Sequence, residues 1–447
     1  MAIHWQRHGL RASCTGLVLA LCSFALPVNA HAPLPRAVAA SPHGGALALA
    51  LPGFGLLVRP HAEARFAYTC DAALGVPPSD RAATLRYFDD GTLLVGSPGG
   101  LRHVAADGCQ LPRRHAVLGS EPISALAIHP ATQLTYAIAA GRGAGIWRSS
   151  DHGMGWEQRG PCPDPALVTG LVIDPEDNTQ LFVSVAGATP EAGATLHVSR
   201  DGGTSFSAHP QTRALQLLAA QAAPARLWAV ARALDSRGNR GFDVMYTSDV
   251  DGEWHSALRV NYFGGLTITP SGEIWVGDEG GGIYRSRDAG RSFDNLDARS
   301  RVACLASEAD AVWACTPALP MAPALQVLRE TGPMTPALAF GDVESLVSCD
   351  DQDIATQCQA AWAEWQRDVL MQQDPAAVDA GAPELPSAMP LDDARDDAGT
   401  PPPSATPENV PPATGCHVMA ARSGSSTPWL VLLVLLGWRR RRLAAHA

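Results

Sequence analysis

The sequence predicts an all-β chain that folds as a β-propeller of about seven blades with a short C-terminal helical cap. Three observations lead to this prediction. The chain is 46% hydrophobic but only 17% charged, with 42 Gly and 36 Pro among 447 residues. A short motif recurs along the middle of the chain, and a series of aromatic residues has the spacing of propeller blades. The composition alone suits many short strands and turns better than a helical bundle.

The recurring motif contains a hydroxyl residue, an Asp two positions later and an aromatic residue seven positions later. Its four copies are Ser149, Asp151, Gly153, Trp156; Ser199, Asp201, Gly203, Phe206; Thr247, Asp249, Trp254; and Ser286, Asp288, Gly290, Phe293. In such a motif the Asp and hydroxyl side chains hydrogen-bond the backbone of a tight hairpin turn, and Gly supplies a positive φ. The third copy has Asp251 in place of the glycine, which follows at Gly252. We therefore expect a distorted third turn.

This motif resembles the Asp-box, or BNR repeat, of sialidase-like and sortilin-like propellers. In those families the box lies at the propeller rim, away from the axial pocket. The resemblance thus implies a structural role for Asp151, Asp201, Asp249 and Asp288, and it is nearly silent on chemistry.

A second series supports the division into blades. Its members each begin a short β-like run and lie 38 to 47 residues apart: Tyr136, Phe182, Trp228, Trp275 and Trp313. This spacing is close to one four-stranded blade and favours packing between blades over an aromatic ligand stripe. Degenerate copies of the motif near residues 59, 105 and 328 raise the count to seven blades, with six or eight as alternatives. The first and last pieces are expected to pair and close the ring.

The ends of the chain are expected to be targeting segments. Residues 1–30 have the basic start, short apolar run and small residues of a signal peptide, with Val28 and Ala30 before the expected cut. The propeller then occupies 31–345 and the helical cap 346–373. Residues 374–414 form a linker rich in Pro, Ala and Asp that is expected to be disordered, and 415–447 form a sorting or anchor segment.

The last segment resembles the C-terminal sorting signals of myxobacterial surface proteins. Gly415 and Cys416 precede an apolar run over 429–438 and four arginines at 439–442. The resemblance implies lipid attachment at Cys416, removal of the following residues by a sorting protease, and a protein held at the outer-membrane surface. A simple single-span anchor is the alternative, although the apolar run is short for crossing a membrane.

Seven cysteines remain outside the signal and the anchor, and export makes disulfides expected. Cys304 and Cys315 flank a predicted hairpin and should pair across it. The expected second pair, Cys349 and Cys358, would staple the cap onto the last blade. Cys70 and Cys109 would join the first two blades, with Cys162 either free or replacing one of them. No Cys or His spacing typical of a metal site is present.

Composition and motifs also bound the function. The formal net charge of −11 excludes a nucleic-acid partner. A sialidase needs an arginine triad, a Tyr nucleophile with a Glu partner and an Asp acid, yet only Val58-Arg59-Pro60 approaches the first arginine motif. Asp278 and Glu279 are conceivable axial acids, although a turn is the favoured role, and two arginines oppose a calcium site in the loop 235–243.

The sequence therefore predicts no catalytic residue, cofactor or metal ligand. It predicts a non-enzymatic recognition protein, anchored at the cell surface, that binds a glycan or protein partner. The alternative is a secreted glycoside hydrolase of sialidase-like type.

Overall fold

The computed structural model describes residues 34–76, 83–111, 115–187, 189, 193–211, 213, 215–234, 240–309, 311–317, 324–329, 334–350 and 353–373. The predicted signal peptide, linker and sorting tail lie outside these residues. The described strands form seven antiparallel sheets, and each sheet is built from strands that are consecutive in the chain.

The first four sheets, named blades 1 to 4 in chain order, contain fifteen strands. Blade 1 consists of β1 (Ala37–Ala40), β2 (Leu47–Leu51), β3 (Gly55–Arg59) and β4 (Ala67–Cys70), and blade 2 of β5 (Thr84–Tyr87), β6 (Leu93–Ser97) and β7 (Gly100–Val104). Blade 3 consists of β8 (Ile123–Ile128), β9 (Thr135–Ala139), β10 (Gly145–Ser149) and β11 (Glu157–Gly160), and blade 4 of β12 (Val168–Ile173), β13 (Leu181–Ala186), β14 (Ala194–Ser199) and β15 (Ser207–Gln211).

The remaining three sheets complete the ring. Blade 5 consists of β16 (Leu215–Gln221), β17 (Arg226–Leu234), β18 (Arg240–Thr247) and β19 (His255–Val260), and blade 6 of β20 (Phe263–Ile268), β21 (Ile274–Asp278), β22 (Gly282–Ser286) and β23 (Asp294–Asn295). Blade 7 consists of β24 (Cys304–Glu308), β25 (Ala311–Cys315), β26 (Leu325–Arg329) and β27 (Thr335–Leu338). Helix α1 (Asp71–Leu74) follows blade 1 and helix α2 (Ile354–Gln373) follows blade 7.

The first strand of each blade is the innermost one, because these strands contact one another around the ring. Strands β1, β5, β8, β12, β16, β20 and β24 each contact the next in this order, and β24 contacts β1. The molecule is therefore a closed seven-bladed propeller, as the sequence predicts, and the seven inner strands surround a central channel.

The recurring motif and its degenerate copies mark one structural position. The third strands of the seven blades end at Arg59, Val104, Ser149, Ser199, Thr247, Ser286 and Arg329. These ends coincide with the starts expected from the sequence near 59, 105, 149, 199, 247, 286 and 328. The motif therefore lies at the turn between the third and fourth strands, and we call its four full copies the motif turns.

The aromatic series also occupies one position, on the second strand of blades 3 to 7. Its members are between 0% and 6% exposed: Tyr136, Phe182, Trp228, Trp275 and Trp313. Each packs into a cluster that includes residues of the following blade, so that Trp228 contacts blade 6 and Trp313 contacts blade 1. The predicted inter-blade packing is confirmed.

The segment after blade 7 crosses back onto blade 1. Ser345 O accepts a hydrogen bond from Tyr68 N at 3.0 Å, and Val347 N donates to Tyr68 O at 2.9 Å. This short parallel pairing adds to the outer strand β4. Trp362 and Trp365 of α2 then stack on the Tyr68 ring at 5.8 and 5.2 Å. The C-terminal segment thus covers the outer edge of blade 1, which would otherwise expose unpaired backbone groups.

The disulfides correct two of the expected pairings. Cys304 pairs with Cys315 across the hairpin as predicted. Cys358 pairs with Cys70 of blade 1, and Cys349 pairs with Cys109 beyond blade 2. The predicted pairs Cys349–Cys358 and Cys70–Cys109 are therefore wrong, because ring closure brings the C-terminal segment beside blades 1 and 2. Among the described cysteines, Cys162 is free and buried.

Among the described helices, none is both long and apolar enough to cross a membrane.

Candidate functional site on the propeller axis

The antiparallel order of each blade divides its turns between two faces. Turns between first and second strands and between third and fourth strands share one face, which we call the motif face. Turns between second and third strands and the connections from blade to blade share the opposite face, which we call the connection face. The motif turns and Glu279, which follows the second strand of blade 6, therefore lie on opposite faces.

Three motif turns have one hydrogen-bonding pattern. Ser149, Ser199 and Ser286 each donate from Oγ to Oδ1 of the Asp two residues later at 2.8 Å. The same Oγ accepts from the N–H of Gly153, Gly203 or Gly290 at 2.7 to 2.9 Å. The Asp carboxylate accepts a further backbone N–H four residues on, at 2.8 to 2.9 Å. Each carboxylate is thus occupied within its own turn.

These hydrogen bonds also set the charge of the carboxylates. Bonds from the side chain and N–H of Ser205, followed by the Ser199 hydroxyl, lower the pKa of Asp201 to about 2. The corresponding bonds from Ser292 and Ser286 hold the pKa of Asp288 well below its usual range. For Asp151, burial raises the pKa, but the Gly155 and Ser149 hydrogen bonds outweigh it and the net shift is downward. Such carboxylates stay ionised at neutral pH and do not suit a general acid.

The third motif turn is distorted, as the sequence predicts. Thr247 Oγ1 donates to the backbone carbonyl of Asp249 at 2.6 Å, whereas the serines of the other copies donate to the carboxylate. Asp249 Oδ1 accepts from Asp251 N at 3.0 Å. Gly153, Gly203 and Gly290 have φ values from +76° to +85°, but Gly252 is not in this region. Because the glycine of this copy is shifted by one position, the third turn lacks the left-handed glycine of the other three copies.

The regular motif turns also join neighbouring blades. A Cβ added at Gly290 would lie 2.2 Å from the Trp228 ring, and one at Gly203 would lie 2.8 Å from Ile146. Both contacts belong to the preceding blade. The aromatic residues of the motif also pack against the preceding blade. Trp156 of blade 3 packs among blade 2 residues, and Phe293 of blade 6 packs among blade 5 residues. The geometry of these residues is that of an inter-blade joint.

The two acids considered from the sequence have different environments. Asp278 is 1% exposed, and its carboxylate accepts the N–H groups of Asn261, Tyr262 and Gly280 at 2.7 to 2.9 Å. It therefore fixes a turn. Glu279 is partly exposed and pairs with Arg36, which precedes β1. Because blade 7 lies between blades 6 and 1, this ion pair connects two non-adjacent blades on the connection face.

Two further polar groups, Arg301 and Asp243, lie on the connection face. Arg301 donates from Nε to the Glu279 carbonyl at 2.7 Å. Asp243, at the edge of the loop considered for calcium, is instead paired with Arg213 at 3.0 Å and Arg259 at 3.4 Å. Residues 235–239 of that loop lie outside the described residues. Within the described part of the chain, no group of three or more His, Cys, Asp or Glu side chains has metal-site geometry.

The inner strands, all of whose residues are described, carry two exposed side chains that sequence reasoning missed. Arg86 of β5 is exposed between the buried residues Leu85 and Tyr87, and Gln216 of β16 is exposed between the buried residues Leu215 and Leu217. Burial lowers the pKa of Arg86, so protein surrounds a guanidinium that water still reaches. Because β5 is the innermost strand of blade 2, this exposed side chain lies beside the channel, and since arginine is effectively always protonated when hydrated, it is a cation.

A carboxyl with a raised pKa lies elsewhere on the connection face. Burial raises the pKa of Asp71, the first residue of α1, to about 6. The crevice that it lines between blades 1 and 2 has a volume of only about 20 Å³. This volume is close to that of a single water site, so the crevice is too small to hold a sugar.

A larger cleft lies on the motif face between blades 6 and 7. Its volume is about 430 Å³ and its lining residues are Thr269, Pro270, Ser271, Glu273, Trp275, Ala309, Val312 and Leu328. It lies beside the degenerate seventh copy of the motif, of which residues 330–333 lie outside the described part of the chain. Trp275 is 2% exposed, so its ring is not an open stacking surface.

Comparison with solved structures finds other proteins of low similarity. The crystal structure of the GH74 xyloglucanase from Xanthomonas campestris aligns with a TM-score of 0.47 and 15% identity, over 67% of this chain and 52% of that one. A structure of YCF48 bound to D1 peptide aligns with a TM-score of 0.45 and 15% identity, over 67% and 94%. An ancestral GH74 enzyme aligns with a TM-score of 0.48 and 14% identity, over 63% and 43%.

The chain therefore spans about half the length of the two GH74 proteins. No protein-family model matches the sequence. No curated protein matches it either.

Proposed function

We propose that this chain is an exported recognition protein, held at the cell surface, whose connection face binds a glycan or a protein partner. The observation that carries the proposal is the state of the acids at the mouth of the channel. Asp278 is buried in a turn and Glu279 is held by Arg36 from another blade. Such acids build a fixed surface, whereas glycoside hydrolysis needs a free carboxyl pair with a raised pKa on the acid.

The motif turns support a scaffold of this kind. Their carboxylates are occupied by local hydrogen bonds, and their glycines and aromatics pack on the preceding blade. We propose that they are of the Asp-box type and serve architecture alone. A rigid ring with variable loops on one face is a common arrangement for recognition sites.

The cellular location of the protein is part of the proposal. Residues 1–30 would direct export, and the tail from Gly415 would be cut by a sorting protease and leave a lipid on Cys416. Three disulfides support an oxidising compartment, because such bridges form and persist outside the cytoplasm.

The binding arm is tested with a glycan array probed with the purified full-length chain, its disulfides intact. Glu279→Arg should weaken binding at least ten-fold, because it reverses the charge opposite Arg36. Glu273→Arg is the matched control, since it breaks a similar pair with Arg287 on the motif face of the same blade. Equal losses in both variants, or a loss in the control alone, would contradict a site on the connection face.

A further inference from the structure

The seven inner strands, all of whose residues are described, carry two charged residues. These are Arg86 on β5 and Glu308 on β24. Glu308 already accepts a hydrogen bond from Trp313 Nε1 at 3.2 Å. Arg86 donates from Nη1 to the carbonyl of the adjacent Leu85 at 2.8 Å, and within the described residues it has no carboxylate partner. Within the described residues, the inner strands therefore carry one cation that has no carboxylate partner.

The position of Arg86 in its blade makes it an exception. In each blade, one residue of the second strand packs against the next blade and pairs with a residue of the inner strand. In blades 1 to 7 these inner-strand partners are Ala39, Arg86, Ala127, Val172, Ala219, Thr267 and Ala306. Six of the seven are small or apolar. Ala39, Ala127 and Val172 are buried at this level, whereas Arg86 is exposed, so its longer side chain reaches past the packing between the blades.

A second polar group lies in the same channel. Gln216 is exposed, and within the described residues its side chain makes no hydrogen bond. Its N–H groups donate and its oxygen accepts, so it can contact either an anionic oxygen or a hydroxyl group. The two side chains offer the channel a forked cationic donor and a neutral amide.

We propose that the central channel binds an oxyanion, a carboxylate or a phosphate, at the Arg86 guanidinium, with Gln216 as a second contact. The planar guanidinium presents paired N–H donors that match two oxygens of such a group. Protein walls on every side strengthen the attraction relative to an exposed arginine, because they exclude most of the screening water. This proposal rests on the proposed recognition function and names the chemistry of one ligand group.

The test is isothermal titration of the full-length chain with glucuronate, inorganic phosphate and, as a neutral control, glucose. Wild type should bind the two anions and not glucose. Arg86→Gln keeps a polar but shorter and uncharged side chain and should weaken anion binding at least ten-fold. Gln216→Ala should weaken it two- to five-fold. Arg291→Gln is the matched control, because Arg291 is exposed on a motif turn, and it should bind as wild type does.

The outcomes separate this proposal from the recognition function. Anion binding that is absent in wild type, or equal in wild type and Arg86→Gln, would overturn the oxyanion site. If the glycan array still shows binding that depends on Glu279, the recognition function stands and only the ligand chemistry is wrong. Circular dichroism and melting temperature confirm that Arg86→Gln folds, and Gln216→Ala keeps the test decisive if it does not.

Discussion

At the scale of single residues, the regular motif turns depend on a few hydrogen bonds that the third turn has partly lost. The Asp201 carboxylate accepts bonds from Ser205 Oγ at 2.6 Å and from the N–H groups of Thr204 and Ser205 at 3.0 and 2.9 Å. Asp249 accepts a single N–H from Asp251 in its distorted turn. The motif aspartate therefore contributes more hydrogen bonds to its turn at Asp201 than at Asp249.

Asp201→Asn should lower the free energy of unfolding by about 1 kcal/mol, after allowance for solvent screening, and Asp249→Asn should cost less. Because the folded-state pKa of Asp201 is lowered to about 2, its contribution is present above the unfolded value near 3.8 and is lost as pH falls toward 2. Urea unfolding at pH 7 and at steps below pH 4 measures this. A gap between wild type and Asp201→Asn that persists unchanged to pH 2 would contradict the assignment.

A glycine pair tests the joint between blades. Gly290→Ala should destabilise the protein by about 3 kcal/mol, because its φ of +83° strains alanine and the new Cβ would lie 2.2 Å from Trp228. Gly272→Ala is the control, since φ is +86° but nothing lies within 4 Å of the added Cβ. It should cost about 1 kcal/mol for backbone strain alone. Equal costs in denaturant unfolding would show that the close approach to Trp228 is not real.

At the scale of elements, the C-terminal segment acts as a clasp across blades 1 and 2. It adds to the edge of β4, stacks two tryptophans on Tyr68 and forms two disulfides with partners 288 and 240 residues away. Because these partners lie at the other end of the chain, the bridges restrain ring opening much more than the predicted local pairs would have done. In the loop-entropy account, closing such long loops removes many conformations from the unfolded chain.

Peptide mapping under non-reducing conditions should recover the pairs Cys70–Cys358, Cys109–Cys349 and Cys304–Cys315. The double variant Cys109→Ala/Cys349→Ala should lose about 2–4 kcal/mol of unfolding free energy. Cys162→Ala removes a buried thiol but no bridge, and should cost about 1 kcal/mol or less. A recovered Cys349–Cys358 peptide would contradict the clasp.

The comparison of these elements with the sequence shows what local patterns can predict. The third-strand ends and the buried aromatic series follow from side-chain chemistry within a few residues, so the motif and its spacing predict them. Disulfide pairing depends on which elements ring closure brings together, and spacing along the chain does not contain that information. Arg86 was missed for the same reason. Its exposure follows from the position of β5 on the axis, and the available signal was an arginine at a position that is small or apolar in the other blades.

At the scale of the whole molecule, the proposed arrangement is a clasped ring on a lipid-anchored tether. The ring closes between β1 and β24. The motif face carries the joints between blades. The connection face carries Arg36, Glu279 and Arg301 at the mouth of the channel. The chain has a net charge of −11, but the inner strands contribute one cation without a carboxylate partner, Arg86, to the channel. This cation would favour the binding of one anionic group at its position.

The anchor is tested by Cys416→Ser. If Cys416 carries the lipid, this variant should lose surface retention and appear in the medium or the periplasm, while the folded ring is unaffected. Cell fractionation and intact-mass analysis of the wild-type C-terminus measure it. Wild type that retains residues 417–447 would contradict proteolytic sorting and favour the single-span anchor.

Recognition without hydrolysis is the central claim, and turnover of a panel of fluorogenic glycosides that includes a sialoside tests it most directly. The full-length chain with its disulfides intact is assayed beside Glu279→Gln and Asp71→Asn. We expect no turnover above the uncatalysed rate in any of the three. Clear turnover by wild type that either variant abolishes would contradict the claim and identify the chain as a glycoside hydrolase.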